Sequence, residues 1–204
     1  MVLSIIEGRV LGCLLEKERT TPDQYPLSLN ALVLACNQST SRDPVMALEA
    51  HDVEAAITSM KAAGYTRVVH PSHGRSVTRY RQVADEHHDW TRAQSAVMAM
   101  LLLRGPQTLA ELRSRTERQH DFSSVDEIDD VLRELAAGDP PFVVHLERAP
   151  GQKETRWQQL LADEAEPVVR AHAAVAPAGG LADRVTELEA RVARLEAAIA
   201  DLLD

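Results

Sequence analysis

Val68-Val69-His70, a short gap, Gly74, then Thr78-Arg79-Tyr80-Arg81-Gln82: this stretch has a second copy further along the chain. The copy reads Val143-Val144-His145, a gap two residues longer, Gly151, then Thr155-Arg156-Trp157-Gln158-Gln159. Each reads as two β-strands around a glycine-bearing loop. A match at both arms and at the turn marks an internal repeat, and a repeat decides architecture.

The residues ahead of each hairpin also correspond. Before the first, the spacing predicts helices over about 4–18, 27–37 and 49–63. Ile6, Val10 and Leu14 form the stripe of the first. Thr21-Pro22 and Tyr25-Pro26 break the chain before the second. Val53, Ile57 and Met60 line the third, and Gly64 suits the position just past its end. Before the second hairpin, Thr91-Arg92-Ala93-Gln94 is a capping box, opening a helix that runs to Gly105-Pro106. Thr108 to Glu111 is another, opening a helix to about Thr116. Ser124-Val125-Asp126-Glu127 opens a third, with Ile128, Val131, Leu132 and Leu135 as its stripe, ending at Gly138-Asp139-Pro140-Pro141.

Three helices followed by a hairpin is the winged-helix order. The expected class is mostly α with small β-hairpins (α+β), as tandem winged-helix domains plus a C-terminal coiled-coil helix. The expected divisions are 1–84, 90–162, an Ala/Pro/Gly-rich linker over 163–180, and a coiled-coil helix over 181–204.

That last segment follows strict 4-3 spacing: Leu181, Val185, Leu188, Val192, Leu195, Ile199, Leu202. Leu at every d and β-branched residues at every a favour a parallel two-stranded coil. Arg184 and Arg191 at g would face Glu189 and Glu196 at e of a partner. The chain is therefore expected to be a homodimer through this coil. The alternative is a short helix folded back onto one of the domains, since isolated helices of this length are marginal.

Of 204 residues 45% are apolar and only 3% aromatic, so the cores must be built from Leu, Val, Ile and Ala. No apolar run approaches the ~20 residues that cross a bilayer. Glu7 and Arg9 interrupt the first apolar stretch, against a signal-peptide layout. A cytoplasmic location, away from membranes, is expected. Cys13 and Cys36 each lie in an apolar segment without a C-x-x-C spacing, and read as buried reduced thiols. The net charge is −9. Residues 1–83 hold nine Lys/Arg against eight Asp/Glu, residues 84–162 nine against fourteen, and 163–204 four against nine. Binding to a polyanion would fall to the first segment.

No nucleotide-binding loop, nucleophile elbow or metalloprotease motif occurs, so no enzyme, cofactor or metal is expected. His87-His88-Asp89 reads as part of a solvated connection over 84–90, and His120-Asp121 as loop. In the first hairpin Arg75, Val77, Arg79 and Arg81 share one strand face, and Tyr80 points to the helices. The arginines suit phosphate contacts. Equally, they suit a solvated face paired with local acids. In the second hairpin the same face carries Gln152, Glu154, Arg156 and Gln158, and Trp157 takes the place of Tyr80. Both third helices are acidic. Asp126, Glu127, Asp129, Asp130 and Glu134 oppose Arg133 in one, and Glu49, Asp52 and Glu54 oppose Lys61 in the other.

The run Thr20-Thr21-Pro22-Asp23-Gln24-Tyr25-Pro26-Leu27-Ser28 continues into Ala35-Cys36-Asn37-Gln38 and Arg42-Asp43-Pro44-Val45-Met46. With Leu101-Leu102-Leu103-Arg104-Gly105, Glu111-Leu112-Arg113-Ser114-Arg115 and the Gly138 to Val144 stretch, it closely resembles the YceH-like (UPF0502) family of bacterial proteins. The resemblance covers about 5–160 and leaves the heptads outside. It implies a tandem winged-helix fold and no defined activity. Its motif is densest at Asn37, Gln38, Arg42 and Asp43, which read either as a partner surface or as a hydrogen-bonded turn. The expected function is a protein-interaction adaptor or regulatory module acting as a dimer. The alternative is a DNA-binding regulator using the first hairpin. The candidate contact residues are Arg42, Arg75, Arg79 and Arg81.

Overall fold

A single helix, α1 (Ile5–Thr20), organises the molecule. In the computed structural model, which describes residues 2–70, 77–148, 151 and 154–163, Ser4 caps this helix. Its Oγ accepts from the Glu7 amide at 3.3 Å, and the Glu7 carboxylate accepts from the Ser4 amide at 2.6 Å. The two bonds satisfy donors that an uncapped helix leaves orphaned. Every residue from Glu7 to Glu16 is buried. A helix covered all round is a spine, unlike the one-sided surface helix that the Ile6/Val10/Leu14 stripe implies.

The 3₁₀ turn Pro22–Gln24 leads into a two-residue strand, β1 (Leu27–Ser28), where a helix was expected to begin. Ser28 then caps α2 (Leu29–Cys36), its hydroxyl accepting from the Ala31 amide. An N-cap residue must be extended, and this one is extended enough to pair. α3 (Ala50–Ala62) ends at Gly64, whose φ of +81° is the left-handed conformation that ends a helix without strain in glycine. β2 (Thr66–Val69) and β3 (Arg79–Gln82) form the first hairpin, and β1 adds to it in the order β1-β3-β2. Tyr80 lies opposite both Val68 and Leu27 and packs on the core.

The second half repeats this order with α5 (Arg92–Arg104), α6 (Leu109–Thr116) and α7 (Val125–Ala136), followed by the two-stranded β4 (Val143–Leu146) and β5 (Arg156–Gln159). The capping boxes at Thr91/Gln94 and Thr108/Glu111 both form. The class is α+β: helices with small antiparallel sheets.

The described residues form one compact unit. Its buried apolar side chains make one continuous cluster, from Leu11 and Leu14 of α1 through Val97 and Leu101 of α5 to Trp157 of β5. α1 lies along α5, and glycines permit close approach to α5 at one position and to the segment after β5 at another. A Cβ at Gly12 would stand 2.9 Å from Leu103 Cγ, and one at Gly8 would stand 2.6 Å from Ala162 Cβ. Leu3 forms a parallel bridge to Ala162, with the Leu3 amide donating to Leu161 O at 2.9 Å and the Asp163 amide to Leu3 O at 2.8 Å. The coiled coil expected over 181–204 lies outside the described residues, as do Arg75 and residues 164–180 of the expected linker. Among the described residues no helix is long and apolar enough to cross a membrane.

Residues 84–90 correct the expectation of a solvated connection. They hold a short helix, α4 (Ala84–His88), started by Gln82, whose Oε1 accepts from the amides of Ala84 and Asp85 at 2.8 and 3.3 Å. This places the His88 ring among Tyr65, Trp90 and Phe142, with centroids at 5.3, 4.9 and 4.7 Å. Its Nε2 lies 3.2 Å from the Tyr65 hydroxyl. Burial, aided by the charge of His87, pushes the His88 pKa down to about 4 from 6.5.

Between those values the unfolded chain binds a proton that the folded protein refuses. Stability therefore falls as pH drops from about 6.5 towards 4. The ring is only half-buried, so screening holds the effect to on the order of 1 kcal/mol. Urea midpoints taken across this window should decline less for His88→Phe than for the wild type.

Candidate functional site

Of the four arginines singled out in the sequence, Arg42, Arg79 and Arg81 lie among the described residues, and they do not share one role. Arg42 is the clearest departure: its side chain is 0% exposed. Its Nη1 and Nη2 donate to Glu16 Oε1 and Oε2 at 3.1 and 2.7 Å, and its Nε donates to Ala35 O at 3.0 Å. Nη1 also reaches Ser41 O at 2.8 Å. As a contact residue for a partner Arg42 is thus corrected: it is an internal brace tying α1 to the turn after α2. Burial raises the Glu16 pKa, but the Arg42 hydrogen bonds and charge, with help from Lys17, outweigh it and hold the carboxyl below its usual range. Asn37 fixes the same turn. Its side chain both accepts from and donates to the backbone of Leu48, each at 2.8 Å.

Arg9 lies nearby and is 2% exposed. It donates to the carbonyls of Cys36 at 3.2 Å and Pro44 at 2.7 Å, and burial lowers its pKa. Cys13 and Cys36 are free and buried, as expected of core thiols.

In the first hairpin Arg79 is exposed, yet its Nη1 donates to Pro26 O at 2.7 Å and Gln24 O at 3.3 Å. These bonds clamp the 3₁₀ turn and β1 against β3. Arg81 lies 2.8 Å from Glu86 Oε1. Its cross-strand neighbour Arg67 approaches the same carboxylate at 3.5 Å. Glu86 stands on α4, so that short helix supplies the acid that separates two like charges facing each other across the hairpin. Arg81 thus pairs with a local acid, whereas Arg79 is held by backbone carbonyls.

The exposed faces of the third helices differ. α3 turns His51, Glu54, Thr58 and Lys61 outward. α7 turns out Asp126, Asp130, Arg133 and Glu134, and Arg133 is spent on Asp129 at 2.7 Å. Among the described residues no group of three or more His, Cys, Asp or Glu could hold a metal ion.

One concave feature was not foreseen. A groove of about 440 Å³ lies where α1, α5 and α6 end, and Lys17, Arg104, Arg115 and Arg118 line it. Its residues come from separate segments, including Gln38 and Ser41 in the turn after α2. No local motif could announce it. A second hollow of about 420 Å³, between α6 and α7, is lined by Arg113, Glu117, Phe122 and Val125.

The family model described as "Protein of unknown function, DUF480" matches residues 3–152. A "UPF0502 protein" of Geobacter sulfurreducens is 46% identical over 202 residues, spanning 99% of this chain and 90% of that one. Relatives with the same description occur in Enterobacter sp. (strain 638), 44% identical over 98% of this chain and 96% of its own, and in Shewanella amazonensis, 44% identical over 100% and 98%. These alignments run through the heptad region, so likeness to the family extends past the boundary near residue 160 that the motifs suggested.

Proposed function

The chain belongs to the UPF0502 family, and from that premise we propose that it is a non-enzymatic protein-interaction adaptor or regulatory module. In this reading it consists of two winged-helix units, works in the cytoplasm, and pairs with a second copy through the heptads of 181–204. The observation that carries the reading is the outer face of α7. In a winged helix the third helix is the one offered to the DNA major groove. Here that face bears Asp126, Asp130 and Glu134, which phosphates would repel. A partner with a basic surface suits it better. The commitments of Arg79 and Arg81 within the first hairpin support the same preference over DNA.

The test is affinity capture with the full chain beside an Asp126→Lys/Asp130→Lys variant, followed by reconstitution with the purified partner. One stoichiometric partner should bind the wild type, weaken with salt, and bind the variant about tenfold or more weakly. Equal binding by both proteins would sink the reading. So would tight binding of genomic DNA fragments, with a log-log salt slope near about −0.9 per phosphate contacted.

A further inference from the structure

We propose that the groove at the joined ends of α1, α5 and α6 is a binding site for a small hydroxylated organic phosphate, a sugar phosphate or a nucleotide. The site is independent of the α7 face.

Charge is the first argument. Lys17, Arg104, Arg115 and Arg118 line the groove against two carboxylates, Glu16 and Glu117. Glu16 is already neutralised from behind by Arg42 and touched by Lys17 at 3.3 Å. Arg115 is held by Gln107 and by Glu111 at 3.3 Å. Among the described residues neither Arg104 nor Arg118 has a carboxylate within 4.0 Å. In a chain with a net charge of −9, unpaired guanidinium groups gathered in one groove mark a local anion preference.

Helix ends explain part of this. Lys17, Arg104 and Arg115 sit in the last turns of their helices, where cations oppose the negative end of the dipole. Arg118 lies two residues beyond the end of α6, within reach of the same effect. Helix ends also leave two atoms unexplained. Arg104 Nε and Gln119 Oε1 are buried and have no hydrogen-bond partner, although both residues line the groove. Gln119 is 8% exposed. Unpaired buried polar atoms are rare, and here one is a donor and the other an acceptor within one site. Both atoms are buried, so a side-chain rotation is needed to present either of them to a ligand.

A ligand satisfying both must bring an acceptor and a donor. Phosphate oxygens suit the guanidinium forks, and a hydroxyl suits the Gln119 carbonyl. Ser41 and Ser114 also line the groove. Ser41 has φ +60°, a left-handed backbone that is strained in a non-glycine residue and tends to cluster at ligand sites. The volume lies in the range of small-molecule sites.

Calorimetric titration of the full chain with glucose 6-phosphate, adenosine monophosphate and inorganic phosphate, at matched ionic strength, tests the proposal. At least one organic phosphate should bind saturably below about 1 mM, and about tenfold or more tightly than inorganic phosphate. Arg118→Gln, an exposed position, should weaken that binding about tenfold without moving the unfolding midpoint. Gln119→Leu should weaken the organic ligand and leave inorganic phosphate unchanged. Arg104→Gln should act like Arg118→Gln if it folds. No saturable binding by any probe up to about 5 mM would overturn the proposal, leaving these cations as helix-end charges only. Equal affinity for inorganic and organic phosphate would overturn the assigned class.

Discussion

Glu16→Ala should destabilise the protein by about 3–5 kcal/mol, read as a fall in the urea midpoint at an unchanged slope. The cause is the charge it leaves behind. Arg42 is fully buried and cannot shed its proton, because guanidinium stays ionised at any pH a protein survives. Two carbonyls, of Ala35 and Ser41, would remain as acceptors, but no carboxylate among its observed partners would. Arg9, also buried, adds a second positive charge nearby. The double variant Glu16→Met/Arg42→Met separates charge from packing. Replacing both partners by apolar groups of similar size should recover most of the loss, since a buried pair often does no better than a hydrophobic one. The pair also sets an acid limit. The folded pKa of Glu16 lies below its ordinary 4.5, so its contribution is complete above that value and disappears as pH falls through the lowered one.

Gly12→Val should cost about 3 kcal/mol or more and lower the melting temperature by roughly 6–12 °C. Gly12 is where α1 meets α5. A first added carbon would lie 2.9 Å from Leu103 Cγ, 3.0 Å from its Cδ2 and 3.1 Å from Leu102 Cβ. Leu103 is 0% exposed and has nowhere to retreat. Gly12→Ala sets two effects against each other. Overpacking costs about 1–3 kcal/mol, while a better helix former returns up to about 1 kcal/mol. Valine adds two further methyls and little helix propensity, so the steric term wins outright. Differential scanning calorimetry of the three proteins should rank them wild type, Ala, Val. Equal melting temperatures would mean that α1 and α5 do not meet as described.

What could be read from the sequence was what is local. Thr91 with Gln94 and Thr108 with Glu111 fix helix starts within four residues, and they appear where expected. The hairpins were visible because the chain states them twice. Arg42 misled because a charged residue in a polar turn invites a surface reading, while its partner Glu16 lies 26 positions away on another helix. Arg79 spends its donors on carbonyls more than 50 positions distant. α4 depends on a side chain of the preceding strand for its start, and on Phe142 of the second half for the burial of His88. α1 hides Glu7, Arg9 and Glu16 in the interior, so its pattern looked one-sided when its surroundings are not. The cationic groove has no sequence signature, because helix ends that are far apart in the chain make it together.

The bridge between Leu3 and Ala162 gives the body an unusual economy of topology. The described structure starts and ends at adjacent points, linked by two backbone hydrogen bonds of 2.9 and 2.8 Å. A path that nearly closes on itself can be cut elsewhere and rejoined there. Asp89, between the halves, holds a left-handed backbone and is exposed, which makes it a natural place for new ends. In such a circular permutant α1 and α5 would exchange their order along the chain and keep the same neighbours in space. For anything fused ahead of Leu3, the geometry means company: it emerges beside Ala162 and Asp163.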